Sequence, residues 1–233
     1  MSGKKASPVI RRMLKWVWRL ILVFLCLTVL QVFSLRYINP PCTTFMAWNS
    51  LMNRSNLRQR LSINLWRTLR EISPSLRRAV LAGEDQRFVS HHGFDFDQIN
   101  YAIKDMIFKK NLRGASTITM QVARTVFLWP QRTWLRKIVE AYYTVLIEIL
   151  WSKERILEIY LNTVDWGTGI RGIEEASKKY FHISSSHISP SQAAILAAIL
   201  PNPHRWSPTY PNAEVLRRQK RILRDIEKMS LLK

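Results

Sequence analysis

The sequence predicts a mainly α-helical protein with one N-terminal transmembrane helix. Apolar residues recur at helical spacing through the second half of the chain, and Ser and Pro stand where helix starts need them. No segment alternates apolar and polar residues strongly enough to read as a strand, and there is no internal repeat. With 233 residues and 47% hydrophobic content, the chain is long enough for one well-buried core, so a single catalytic or binding domain is expected.

The first element is a membrane anchor over residues 16–36, preceded by a basic cytoplasmic tail over 1–15. The apolar run Leu20 to Leu30, extended back to Trp16 with Arg19 snorkelling and forward through Leu35, gives about the twenty residues that a helix needs to cross a bilayer. No small-x-small cleavage site follows, only FSLRYINPP, so the segment reads as a retained anchor rather than a signal peptide. Lys4, Lys5, Arg11, Arg12 and Lys15 precede the run with no acid among them, which keeps the N-terminus cytoplasmic and sends the rest of the chain to the outer face of the cytoplasmic membrane. Cys26 falls inside the span and Cys42 beyond it, so neither a disulfide framework nor a thiolate metal site is expected. Taking the seven cations of residues 1–36 from the formal charge of +20 leaves +13 on the exported part. That excess points to an anionic partner, the alternative being a generally basic surface kept for solubility: nucleic acid fits the charge but not the location, whereas an anionic membrane surface and phosphate-bearing lipids fit both.

Residues 37–70, opened by the helix-breaking INPP, read as a linker and membrane-proximal segment, and 71–233 as the catalytic domain. Ser73 as cap and Pro74 at the first position open SPSLRRAVLAGED, with Leu76, Val80 and Gly83 on one side and Glu84 at the end. From Leu135, apolar residues at 135, 138, 139, 142, 146, 149 and 150 mark one face of a helix. Ser152 caps KERILEIYLN. Ser189, Pro190 and Gln192 form a capping box before AAILAAIL, whose alanines permit close helix approach until Pro201 stops it.

Candidate chemistry gathers at three places. Glu84 and Asp85 are adjacent, so they point about a hundred degrees apart on a helix and only one is expected to be catalytic; the alternative is that both cap the helix or pair with Arg87. Near Val80, Leu81 and Phe88, a carboxylate gains proton affinity and can serve as a general base or acid. His91 and His92 lack metal-ligand spacing and suit a structural role. The stretch RGASTITMQVAR reads as a basic, hydroxyl-rich loop suited to phosphate or sugar. Arg124, Arg132, Arg136 and Lys137 precede Glu140 as an anion clamp, or else form a solvated face with an Arg136–Glu140 pair.

In order and spacing, EDQRFVSHHGFD, RGASTITMQ, RKIVE, KERILEIYLN and AAILAAILPNPHRWSP resemble the five motifs of the peptidoglycan glycosyltransferases of glycosyltransferase family 51, from Ile72 to Pro208. The resemblance implies a lysozyme-like, two-lobed domain with a membrane-embedded subdomain. It implies polymerisation of lipid II into β-1,4-linked glycan, with inversion and release of undecaprenyl diphosphate from the growing strand. By position it implies Glu84 as general base and Glu140 as the second essential carboxylate, acting directly or through a divalent metal, Mg²⁺ or Mn²⁺, on the pyrophosphate. Arg124 and Arg132 match phosphate-contacting positions; Ser116, Thr119, Gln121, Arg136 and Lys137 match groove-lining ones. Asp85, Arg87, Phe88, His92 and Gly93 match supports, no organic cofactor is implied, and other cell-wall synthesis or division proteins are possible partners. Met120, Arg124 and Thr125 depart from the glutamine, lysine and asparagine common in that family, which bears on donor-site affinity. A lysozyme-type lytic glycosidase and a non-catalytic membrane-tethered scaffold are the competing readings.

Overall fold

A computed structural model describes residues 8–44, 48, 65–109, 114–131 and 133–232. Much of the expected linker, together with Arg113 and Arg132, lies outside the described residues. The chain divides into two compact units, Met1–Asn39 and Pro40–Lys233. The first is helix α1 (Pro8–Leu35), whose stretch Val9–Leu35 is long and apolar enough to cross a membrane.

The second unit is helical, with one small hairpin. Its helices are α2 (Pro74–Glu84), α3 (Phe96–Lys109), α4 (Ile118–Phe127), α5 (Trp134–Leu150), α6 (Lys153–Thr163), α7 (Ile173–Phe181), α8 (Pro190–Ile199) and α9 (Ala213–Asp225). Between α6 and α7 lies an antiparallel pair absent from the sequence expectation, β1 (Asp165–Gly167) and β2 (Ile170–Arg171). Strands this short carry too few residues for an alternating pattern to show.

Two helix groups build the core. In one, α8 packs against both α2 and α9. Every residue from Ala193 to Ile199 is buried, as befits a helix apolar on all sides. In the other, α4 packs on α5 and α6, with Phe127 stacked on Tyr143 at 4.5 Å between ring centroids. The hydroxyls of Ser152 and Ser189 cap α6 and α8 as expected, the latter within a full capping box. Ser73 differs: it occupies the N-cap position of α2, but its hydroxyl donates to Ile188 O at 3.0 Å, and Pro74 opens the helix without a side-chain cap. The amide of Leu76, which a serine hydroxyl would otherwise cap, is met by Ser73 O at 3.0 Å, and the hydroxyl instead ties α2 to the start of α8.

Helix α5 forms where the periodicity placed it, yet none of the seven apolar positions that marked it is buried. Trp134 is 89% exposed, Ile138 68% and Ile149 71%, while Arg136, Glu140, Tyr143, Thr144 and Ile147 make the buried face. The polar side can go inside because its charges satisfy one another there. Among the described residues the apolar side is exposed or half-exposed.

A buried carboxylate holds the entry to the domain. Glu174 of α7 accepts from Arg67 Nη2 at 3.0 Å and from the amide and hydroxyl of Ser185 at 2.9 and 2.7 Å. Although burial pushes its pKa up, these bonds and Lys178 outweigh it and bring the value down to about 2. A carboxylate shifted in this direction stabilises the fold above its unfolded pKa near 4.5, and that contribution is lost as pH falls through the window down to about 2. The melting temperature should therefore drop between pH 5 and 2. Glu174→Gln should melt lower at pH 7 and show a shallower acid slope; equal slopes in the two proteins would refute this account.

Candidate active site

The site is assembled where α2 ends and α4 begins. Asp85, the C-cap of α2, accepts from the Ile118 amide at 3.0 Å, so it satisfies one of the free N–H groups at the start of α4. Its carboxylate also meets His91 Nε2 at 2.9 Å, with both residues buried. Thr117 caps α4 by accepting from Met120 N at 3.2 Å while its hydroxyl donates to Gly93 O at 2.6 Å. The RGASTITMQVAR stretch is thus helical from Ile118 onward rather than a loop. Its helix start is stitched to the EDQRFVSHHG segment by two hydrogen bonds, Ile118 to Asp85 and Thr117 to Gly93.

This stitching carries Gln121, one turn into α4, to Glu84. Gln121 Nε2 donates to Glu84 Oε2 at 3.0 Å, and Tyr160 of α6 donates its hydroxyl to Gln121 Oε1 at 3.3 Å, which fixes the amide's orientation. On the other side Arg218 Nη2 lies 3.7 Å from Glu84 Oε1. Burial raises the pKa of Glu84, Asp85 reinforces that, and Gln121, Arg218 and Arg124 oppose it. The net direction is upward, as a general base near neutral pH requires. Burial also holds Tyr160 protonated, with Glu84 adding to the effect.

The second carboxylate is differently placed. Glu140 is fully buried and accepts from Arg136 Nη1 at 2.7 Å and Lys137 Nζ at 2.6 Å. Of the two readings of this cation cluster, the Arg136–Glu140 pair is present, but on a buried rather than a solvated face. Two cations grip one enclosed carboxylate, and Arg132 lies outside the described residues.

A cleft of about 390 Å³ runs beside both. It is lined by Gln121, Arg124, Thr125 and Arg136, by Asp165 and Arg171 of the hairpin, and by Pro203 and His204. Neither Glu84 nor Glu140 is among the lining residues; each stands directly behind one, Glu84 behind Gln121 and Glu140 behind Arg136. Arg136 Nε is buried and has no hydrogen-bond partner among the described residues. Guanidinium groups of Arg124, Arg136 and Arg171 make this cleft chemically suited to an anionic ligand, and Glu84, behind Gln121, is a desolvated carboxylate able to accept a proton.

The family model described as Transglycosylase matches residues 53–227. The chain belongs to the transglycosylase family. A biosynthetic peptidoglycan transglycosylase of Bdellovibrio bacteriovorus is 45% identical over 90% of this chain and 84% of its own length. One from Xanthomonas campestris pv. campestris strain B100 is 43% identical over 98% and 94%, and one from Chromohalobacter salexigens is 48% identical over 70% of each. As a transglycosylase the chain is a glycosyltransferase, an enzyme.

Within this transglycosylase several expected site residues sit elsewhere than on the cleft. Thr119 is fully buried and donates its hydroxyl to Glu148, so it braces α4 against α5. Ser116 is half-buried just before α4, and Met120 is buried, so its departure from the family pattern removes no group from the cleft wall. Arg87 pairs with Asp95 and Asp97 and not with Glu84 or Asp85. Of the two histidines the expected support, His92, is exposed; the support is His91, because only its ring reaches Asp85. Phe88 is buried beneath Lys153 Nζ, 4.5 Å from its ring centroid. Lys153 bonds Glu148 at 2.8 Å and His91 O at 2.7 Å, closing a network that no local pattern announced.

Gly93 is the tightest support. Its φ is +87°, and a Cβ there would lie 2.8 Å from Thr144 Cγ2 and 3.0 Å from Glu148 Cγ. Gly93→Ala should lose about 2–4 kcal/mol from the positive φ and the overpacking together, read as a lower melting temperature. An unchanged melting curve would show that the backbone there can move aside.

The residues around Glu140 do not fit a resident metal ion. Both of its oxygens are taken by cations and none is exposed. Among the described residues no group of three His, Cys, Asp or Glu is gathered.

Proposed function

We propose that this transglycosylase is a peptidoglycan glycosyltransferase that polymerises lipid II at the outer face of the bacterial cytoplasmic membrane. The donor is the growing glycan on undecaprenyl diphosphate and the acceptor is the 4-hydroxyl of lipid II. Glu84 takes the proton as that oxygen attacks C1 of the donor, the C1–diphosphate bond breaks, and the electron pair leaves with the diphosphate. Attack from the opposite face turns an α link into a β-1,4 bond.

The observation that carries this reading is the pairing of a buried, proton-avid Glu84 with a cleft lined by Arg124, Arg136 and Arg171. Fixed cations along the cleft stabilise the departing diphosphate more than the bound donor. A lytic glycosidase needs a second carboxyl group able to give or take a proton beside the sugar. Glu140, enclosed by two cations, does not offer one, and Asp165 on the cleft wall is held by His204, Arg171 and the Gly167 amide. The relatives' printed names, the net charge of +20 and the apolar helix α1 support a membrane-held enzyme with its N-terminus in the cytoplasm, where contacts with other wall-synthesis or division proteins are open to it.

The test is polymer formation from synthetic lipid II by the full-length protein, with and without moenomycin, which occupies the donor site in family members. Glycan strands that moenomycin abolishes are expected. Fragments released from finished wall, with no polymer from lipid II, would replace this reading with the glycosidase.

A further inference from the structure

Glu84 ends α2, and the group that meets its Oε1 comes from near the far end of the chain. Helix α9 packs on α2 and α8. The approach is close because residue 83 has no side chain: a Cβ on Gly83 would lie 3.1 Å from Ile222 Cδ1 and 3.5 Å from Ala197 Cβ. Ile222 is fully buried there and fixes the register of α9. One turn earlier on the same face stands Arg218, brought alongside the residue next to Gly83.

Three contacts hold the Arg218 guanidinium in place. Its Nε donates to Ala198 O at 3.2 Å, its Cζ lies 5.9 Å from the Trp206 ring centroid, and its Nη2 lies 3.7 Å from Glu84 Oε1. Arg218 and Glu84 side chains are only 18% and 11% exposed, so water screens the pair little. At 3.7 Å the contact is charge attraction rather than a hydrogen bond, so it orients Oε1 without occupying its lone pairs. Gln121 fills Oε2.

We propose that Arg218 is a positioning residue for Glu84, fixing its carboxylate in one orientation and keeping it ionised with Oε1 turned to the acceptor hydroxyl. The inference rests on Glu84 being the base. The other groups that act on this carboxylate are Asp85 beside it, Arg124 and Gln121 of α4, and Tyr160 of α6. Of the two cations, Arg218 is the partly enclosed one and Arg124 is exposed.

The experiment measures lipid II polymerisation against pH for full-length wild type, Arg218→Met and Arg218→Lys. The methionine variant should lose about tenfold to a hundredfold in kcat at neutral pH with KM within about twofold, because the interaction serves the base and not the binding of substrate. Its ascending pH limb should move to higher pH, since burial then acts on Glu84 with less opposition. Lysine keeps the charge but not the geometry, so its limb should stay near that of wild type while kcat falls severalfold. A methionine profile that superimposes on wild type, a loss confined to KM, or a displaced limb in the lysine variant would each overturn the proposal. If methionine prevents folding, the lysine limb alone decides. If wild type makes no polymer, or Glu84→Gln is as active as wild type, the reading of Glu84 falls and this inference with it. An active wild type, an inactive Glu84→Gln and an unaffected Arg218→Met remove only the role of Arg218.

Discussion

Glu84→Gln is expected to lower kcat for lipid II polymerisation by about a hundredfold to ten-thousandfold, the range a positioned general base supplies. Glutamine keeps the shape and can still accept from Gln121, but it takes no proton from an attacking hydroxyl. Stability should move the other way. A carboxylate whose pKa is raised by burial contributes fully below the unfolded pKa, and that contribution is lost as pH rises toward the folded pKa. At neutral pH the wild-type side chain therefore strains the fold, and the amide should melt at the same temperature or slightly higher. A variant that is inactive but no less stable is the signature of a group kept for chemistry. Equal kcat in the two proteins would remove Glu84 from the mechanism.

Glu140→Ala is expected to fail for a different reason. It leaves Arg136 enclosed without its partner and half-exposed Lys137 with none, and breaking a buried ion pair from one side destabilises by about 3–5 kcal/mol. For a domain of this size that corresponds to a fall in melting temperature of about 6–20 °C. Replacing both members with apolar residues of similar size, as in Arg136→Met with Glu140→Leu, should restore most of the stability, because the desolvation of both charges disappears together. Activity should not return, since the cleft wall then lacks a guanidinium. If the single alanine variant melts like wild type, Glu140 is not the strut described; if the double variant is active, the guanidinium of Arg136 is dispensable.

How far the sequence reached depends on whether a feature is local. Helix starts at Ser152 and Ser189 were legible because capping is settled within four residues. The motif around Glu84 was legible as well, since its glycine, its acids and its apolar neighbours lie within a dozen positions. Thr119 was misplaced because a hydroxyl in a helix reads the same from either side, and only Glu148, twenty-nine residues away, decides that it points inward. Arg218 and Tyr160 could not be seen at all: each reaches the site from another helix, across 134 and 39 residues to its partner. Choosing His92 over His91 was the same error on a smaller scale, because the turn that aims one ring at Asp85 is set by tertiary packing.

Helix α5 is, in effect, a helix worn inside out. Trp134, Leu135, Ile138, Val145 and Ile149 offer a greasy ridge on the side that a water-soluble enzyme would coat with charge. Such a ridge would gain free energy at about 25 cal/mol for each Å² that an apolar surface took out of water, so the catalytic unit carries a driving force for association that is separate from the apolar length of α1.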